Sequence, residues 1–261
     1  MRGGNAKMST LIIPCLGRKI MNGIPQYLNH HPNGELLLER SLRGVYSSGY
    51  EKVIIVLYSK DVKMYHADRV IKDELKEYPI EILCLDEMTS GPAETIYRSI
   101  KTKELSGTVV IKDADNYLRT EELQEGNFVA CLDFYTWERD MHNLRNKSFL
   151  IVNEQGNLLD IIEKKIRSEV ICLGLYGFKR AEDFIKAYEK LNDASYPISS
   201  LYVSHIISYL IGYSGKVFHY VKSLEYENWG DERLWSDLQR DYALYFINLD
   251  TILGNQGTLT E

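Results

Sequence analysis

The sequence predicts an α/β fold: a single domain with a mixed, mostly parallel central sheet flanked by helices. Three observations predict it. Through the first half of the 261 residues, short apolar runs alternate with segments of helical spacing, the rhythm of βαβ units. Those runs are continuously apolar rather than alternating, which means a sheet covered on both faces. The second half changes to hairpin patterns, which add antiparallel strands.

The elements follow in order. Residues 10–16 (TLIIPCL) make the first strand, closed by Gly17 and a turn-rich stretch over 22–34. Residues 36–46 have apolar positions at helical spacing. Residues 52–58 (KVIIVLY) are β-branched and bounded, a buried strand. Residues 61–76 read as a charged helix and 80–85 as a third strand. A helix over 92–101 starts near Ser90 or Gly91, with Pro92 in the first turn, where proline loses no hydrogen bond. Residues 108–111 (TVVI) form a fourth strand that ends at the polar cluster 112–116 (KDADN). Residues 128–132 and 148–152 are strands. The turn 153–157 (NEQGN) returns the chain into a partner strand over 158–163. A strand over 170–178, helices over 181–191 and 200–211, a strand over 216–221 and a helix over 231–242 complete the pattern. Residues 1–7 are set aside as a loose leader, 8–243 form the domain and 244–261 are a tail.

Composition narrows the class. The chain is 44% hydrophobic and 26% charged, ordinary for a globular protein and outside the disordered and fibrous ranges. Thirty-one basic residues against 37 acidic ones give a net charge of −6, which argues against a broad nucleic-acid-binding face but permits a local basic pocket. No apolar run approaches the roughly 18 residues of a membrane span. The start, MRGGNAKMST, lacks the apolar core of a signal peptide. The four cysteines are far apart with no CxxC pair, against a zinc knuckle. Cys15, Cys84 and Cys172 fall in apolar runs and read as small buried hydrophobes in a reduced, cytoplasmic protein. The six histidines show no metal-ligand spacing. There is no G-x-S-x-G elbow and no P-loop motif.

In open α/β sheets ligands bind beyond the carboxyl ends of the strands, so the residues after each strand are the candidates. After the first come Gly17-Arg18-Lys19 and then Gly23-Ile24-Pro25-Gln26: glycine lets backbone approach a phosphate, and the cations favour its charge. After the third, 89–92 (TSGP) opens a helix whose N–H groups can hold an anion or a base edge. After the fourth, Asp113 and Asp115 suit a hard cation such as Mg²⁺ bridging phosphates. Each also has a plain reading, as a turn or a helix cap.

Taken in order over roughly residues 8–243, these motifs resemble the nucleotidyltransferases that make nucleoside-diphosphate sugars and CDP-alcohols. That family opens with a strand, a glycine loop and a Pro-Lys; 12–18 (IIPCLGR) and 23–28 (GIPQYL) stand in those places. Residues 89–95 (TSGPAET) resemble its base-recognising turn, and Asp115-Asn116 its metal-binding Asp-Asn. Glu163-Lys164 after the 153–157 turn resembles its Glu-Lys, and 174–178 (GLYGF) the strand lining the acceptor pocket. Residues 228–231 (NWGD) resemble the element bearing the second metal ligand. The resemblance implies a Rossmann-like, glycosyltransferase-A-like domain. It implies transfer of a nucleotidyl group from a nucleoside triphosphate to a phosphorylated sugar or small alcohol or amino compound, dependent on Mg²⁺, releasing pyrophosphate, for bacterial capsule polysaccharide synthesis. It assigns Arg18, Lys19 and Lys164 as catalytic, and Pro14, Leu16, Gly17, Gln26, Ser90, Gly91, Pro92 and Asp113 to the nucleotide. Asn116, Glu163, Lys164, Gly174 and Tyr176 go to the acceptor, and Asp115, Asn228 and Asp231 to the metal.

The chain departs from that pattern. The opening loop is short and lacks a clear second glycine. Gln26 stands for a phosphate-pairing lysine, and Asn228 for an aspartate. These departures support a second reading, a catalytically silent nucleotide or sugar-phosphate binding module. A third is a glycosyltransferase using Asp113-Ala114-Asp115 to hold Mn²⁺ on a nucleotide sugar. In the tail, 245–253 (YFINLDTIL) resembles the opening strand of a haloacid-dehalogenase phosphatase, with Asn248 in place of the nucleophilic aspartate and the glycine missing. Its plainer reading is a C-terminal strand or loose end. Apolar residues in 200–211 serve either the core or an interface, which leaves a homo-oligomer open.

Overall fold

The structure is a computed structural model that describes residues 9–17, 20–46, 50–120, 126–136, 141–193 and 200–256, with backbone alone at 141–143 and 245–256. In chain order its first half forms β1 (Ser9–Pro14), the two-residue strands β2 (Ile20–Met21) and β3 (Ile24–Pro25), α1 (Leu37–Tyr46), β4 (Lys52–Tyr58), α2 (Ser59–Tyr65), α3 (Ala67–Glu74), β5 (Ile80–Leu85) and α4 (Pro92–Thr102). Then come β6 (Thr108–Lys112), β7 (Asn116–Thr120), β8 (Phe128–Asp133), β9 (Ser148–Val152), β10 (Asn157–Glu163), β11 (Val170–Phe178), α5 (Ala181–Asn192), α6 (Val203–Ser214), β12 (Phe218–Asn228) and α7 (Glu232–Gln256).

The main sheet runs in the order β5-β4-β1-β6-β11-β8-β12-β10-β9. Its first four strands are parallel neighbours, as βαβ crossovers require. Beyond β6 the sheet is mixed: β11 lies antiparallel to both β6 and β8, and β12 is parallel to β8. The outer half of β12 then leaves the sheet and pairs antiparallel with β7, setting Asn228 opposite Asn116. That pairing joins two segments more than 100 residues apart and builds the floor of the site.

The apolar runs of β1 and β4 divide by parity. Ile12, Ile54 and Val56 join the core under α4, α5 and α6, while Leu11, Ile13, Val53 and Ile55 join the one under α1 and α3. Both faces are thus covered, which is why the runs are continuous rather than alternating. A third, small cluster holds Met21, Leu37, Trp229, Trp235 and Leu238. It seats the start of α7 against α1.

Several elements differ from the expectation. The helix over 61–76 is two helices, because His66 takes a left-handed conformation (φ 52°) and serves as the end of one and the start of the next. Histidine is among the side chains that tolerate this region. β7 has no run of apolar residues to announce it; only Asn116 and Leu118 point inward. The strand expected over 216–221 runs on to Asn228 through the polar residues that pair with β7. Residues 245–256 are helix, neither the extended strand nor the loose end expected of the tail. They continue a helix already nucleated at Glu232, and propagation adds one bond per residue without a new nucleus. Cys84, expected to be buried, is exposed on the edge strand β5, while Cys131 in β8 is buried with Cys15 and Cys172. Among the described residues no helix is long and apolar enough to cross a membrane.

An ionic cluster locks β12 against α1. Arg40 Nε donates to Glu227 Oε1 at 3.0 Å and its Nη1 to Glu35 Oε2 at 3.0 Å, and the buried His31 Nε2 stands 3.1 Å from Glu227. Burial raises the Glu227 carboxyl, but hydrogen bonds from His31 and Arg40 outweigh it and hold it below the usual range. Glu35 is likewise held low, its burial outweighed by Asn33, Arg40 and Arg43. Carboxyls lowered by folding stabilise above their unfolded pKa, about 4.3, and lose that contribution as the pH falls through the folded value. Urea midpoints should therefore decline on the acid side. Arg40→Met should lower stability by about 1–3 kcal/mol at pH 7, and by less at pH 4. An equal loss at both pH values would show that the pairs contribute nothing through charge.

Candidate active site

The site grows from the turn between β6 and β7. Lys112 ends β6 with a fully buried side chain. Its Nζ donates to Ser41 Oγ at 3.0 Å, to the carbonyls of Asp113 and Asn116 at 2.5 and 2.9 Å, and to Asn116 Oδ1 at 2.8 Å. From the other side β11 meets the turn: Asp113 N–H donates to the Gly174 carbonyl at 2.7 Å. Gly174 has φ 75°, and a Cβ there would overlap the Asp113 carboxylate. Only glycine combines that backbone with so close an approach.

The β12–α7 junction closes over the same turn. Trp229 N–H donates to the Asp115 carbonyl at 3.2 Å, and Gln26 Nε2 donates to the Trp229 carbonyl at 2.5 Å. A Cβ at Gly230 would fall on the Asp115 carboxylate and 3.0 Å from Asn228 Oδ1. The absent side chain leaves a small cradle lined by a carboxylate and an amide oxygen, hard donors of the type Mg²⁺ takes. Asp113 is a second carboxylate on the same turn. Among the described residues no three His, Cys, Asp or Glu side chains form a cluster able to hold a metal. The cradle's own donors, the Asp115 carboxylate and the Asn228 amide oxygen that also accepts from Gly230 N–H at 2.8 Å, have the chemistry a hard cation takes.

A cavity of about 560 Å³ opens over this floor at the carboxyl ends of β1 and β6. From the nucleotide set it gathers Pro14, Leu16, Gly17, Gln26, Gly91, Pro92 and Asp113. From the acceptor and metal sets it gathers Asn116, Glu163, Lys164, Gly174, Tyr176, Asp115 and Asn228. Two expected residues lie elsewhere. Exposed Ser90 donates its N–H and hydroxyl to Glu94 at 2.6 and 2.7 Å, tying the first turn of α4. Asp231 Oδ1 accepts from Arg233 N–H and Leu234 N–H at 3.0 and 3.2 Å, the work of a helix cap at the start of α7. Arg18 and Lys19 lie outside the described residues.

The far wall carries two lysines, one unforeseen. Lys164 Nζ donates to Tyr202 Oη at 2.5 Å and sits 4.0 Å over that ring. Lys147 Nζ donates to Tyr226 Oη at 2.7 Å. Lys164 N–H donates to the Lys147 carbonyl at 3.1 Å, so the lysines are neighbours across the β9–β10 hairpin. Counted from the turn, Lys147 belongs opposite Glu163. A bulge between Leu158 and Asp160 moves the register by one and brings Ser148 there instead. Glu163 then accepts from Ser148 Oγ and Ser204 Oγ, both at 2.5 Å. Such a slip cannot be read from hydrophobic pattern alone. Lys112, Tyr202 and Tyr226 were also missed; the lysine signal was a charge closing an otherwise apolar strand.

The floor is electrostatically tense. Burial pushes the Asp113 carboxyl up, the Asp115 charge adds to this and Lys112 opposes it. Burial pushes the Lys112 ammonium down, against the pull of both aspartates. Burial also raises the Cys172 thiol to about 12, so it is no thiolate nucleophile near neutral pH. Cys172 therefore adds no covalent nucleophile to the cavity wall.

No protein-family model matches the chain, and no curated protein matches it. Solved structures do. The nucleoside-diphosphate-sugar pyrophosphorylase from Vibrio cholerae RC9 superposes with a TM-score of 0.68 at 18% identity, covering 89% of this chain and 100% of that one. The inositol-1-phosphate CTP transferase from T. maritima gives 0.65 at 12% identity, covering 91% and 97%. HddC from Yersinia pseudotuberculosis, complexed with GMP-PN, gives 0.61 at 15%, covering 90% and 100%. The chain shares the fold of these three proteins over nearly its whole length.

Proposed function

We propose that the protein is a nucleotidyltransferase that joins a nucleoside triphosphate to a phosphorylated sugar or small alcohol or amino compound. One observation carries this: the Asp115–Asn228 cradle at Gly230 faces, in a single cavity, the glycine-bearing end of β1 and the Lys147–Lys164 wall. A polyanion with a divalent cation fits the first two, and an acceptor phosphate the third. An acceptor phosphate oxygen attacks the α-phosphorus in line, the bond to the bridging oxygen breaks, and pyrophosphate leaves with that oxygen. Lys164 and Lys147 hold the attacking phosphate. Arg18 and Lys19 neutralise the triphosphate, and the start of α4 at Gly91 brackets the base. Asp115 and Asn228, with Asp113 behind, are the residues that would hold Mg²⁺, which supplies charge neutralisation on the phosphates. The rate gain is positioning and electrostatic stabilisation. The product class, an activated precursor for bacterial surface polysaccharide, rests on the resemblance of the motifs.

A thermal-shift screen with CTP, UTP, GTP, dTTP and ATP plus Mg²⁺ tests the proposal, followed by pyrophosphate release with candidate phosphates. At about a hundred times Kd a bound nucleotide stabilises by ~2.7 kcal/mol, roughly 5–10 °C at this size. No shift with any nucleotide would reject it. The silent-module alternative is favoured by two features: Gln26 is turned onto the Trp229 carbonyl, and Asn228 brings no charge. It predicts the shift without pyrophosphate release for any acceptor.

A further inference from the structure

We propose that Lys112 is a positioning residue: an internal ammonium that staples the 113–116 turn from beneath and fixes its two carboxylates at the cavity floor. The side chain is fully buried and absent from the cavity wall, whereas residues 113 to 116 all line it. The turn is thus sandwiched between the ammonium and the cavity. The three N–H groups of Nζ meet four oxygens within 3.0 Å, and these come from both ends of the turn: the Asp113 carbonyl, and the carbonyl and Oδ1 of Asn116. The fourth is Ser41 Oγ, which itself stands 3.1 Å from the Asp113 carbonyl and ties the turn to α1.

The plain alternative is a lysine that merely fills the core. Its surroundings argue otherwise. β6 is apolar from Val109 to Ile111, and an apolar residue would suit the buried end of this strand without taking an ammonium from water. The acceptors it meets are those of the turn: the Asp113 carbonyl, which it shares with Ser41 Oγ, and the carbonyl and Oδ1 of Asn116. Lys112 also sets an internal positive charge against Asp113 and Asp115, like charges two residues apart that would otherwise repel across the turn. That this turn serves nucleotidyl transfer rests on the proposed function; that Lys112 holds it does not.

The test is Lys112→Met, which keeps the length and removes the charge and donors, with Lys112→Gln as a milder variant. Hydrogen exchange by mass spectrometry is read over peptides covering 111–118 and over β1 and β4. In parallel, Mg²⁺ with the nucleotide that shifts the wild type is titrated by thermal shift. The expected result is at least tenfold faster exchange in the turn with β1 and β4 unchanged, and at least tenfold weaker apparent nucleotide affinity. Unchanged exchange in the turn would overturn the proposal. Loss of protection across the whole sheet, or failure of both variants to fold, would also overturn it by making Lys112 a core residue. If no nucleotide shifts the wild type, the proposed function fails, while the exchange result still decides the role of Lys112.

Discussion

Asp115→Ala should lower pyrophosphate release by about 10³-fold or more while leaving the melting temperature within a few degrees of the wild type. The side chain is half-buried at the cavity floor, and its carboxylate occupies the space that Gly230 leaves open. Removing it takes the cradle's carboxylate away and leaves the neutral oxygen of Asn228. The main-chain bond from Trp229 N–H to the Asp115 carbonyl survives the substitution, so the turn keeps its path. Folding has little to lose, because a carboxylate that repels its neighbour Asp113 is removed. Asp115→Asn is the shape-preserving control and should be nearly as impaired. Full turnover in either variant would refute the assignment. A large fall in melting temperature would mean that Asp115 serves the fold instead.

Trp229→Ala should destabilise the protein by about 3–5 kcal/mol, read from urea midpoints. The indole is fully buried among Met21, Leu37, Trp235 and Leu238, a cluster too small to collapse around the gap. The same residue ties the site by its backbone, donating to Asp115 and accepting from Gln26. These main-chain bonds survive the truncation but lose the packed indole that holds their backbone in place, so nucleotide-dependent stabilisation should weaken together with the fold. Trp229→Phe, which keeps a ring in the cluster, should lose less than half as much. A loss below about 1 kcal/mol in the alanine variant would show that this cluster does not anchor α7.

The contrast between the two variants reflects how the site is made. Asp115 could be picked from the sequence because it follows a clear apolar strand and precedes Asn116. Its partner Asn228 was reached only through the resemblance. The strand that brings Asn228 to it, the outer half of β12, is polar and carries no hydrophobic signal. Gln26 was read as a weak substitute for a cation, yet its amide is a strut between the β3 turn and the β12–α7 junction. Ser90 and Asp231 have the chemistry of site residues but serve helix starts: Ser90, just before the cap residue of α4, donates to Glu94, and Asp231 caps α7.

What the amino-acid sequence determined by itself is the α/β order, the two-sided burial of β1 and β4, the hairpin over 153–157 and the acidic turn after β6. Each follows from local rules: side-chain periodicity, turn chemistry and the reach of the chain. Tertiary structure alone decided which distant oxygens meet at Gly230, which lysine lies beside Lys164, and that Lys112 turns inward beneath the carboxylates. Those outcomes depend on a one-residue bulge, a strand that leaves one sheet for another pairing, and glycines that allow close approach. The meeting at Gly230 spans more than 100 residues of chain, where no local pattern reaches, and the bulge, though it lies inside one hairpin, leaves no mark on the hydrophobic pattern.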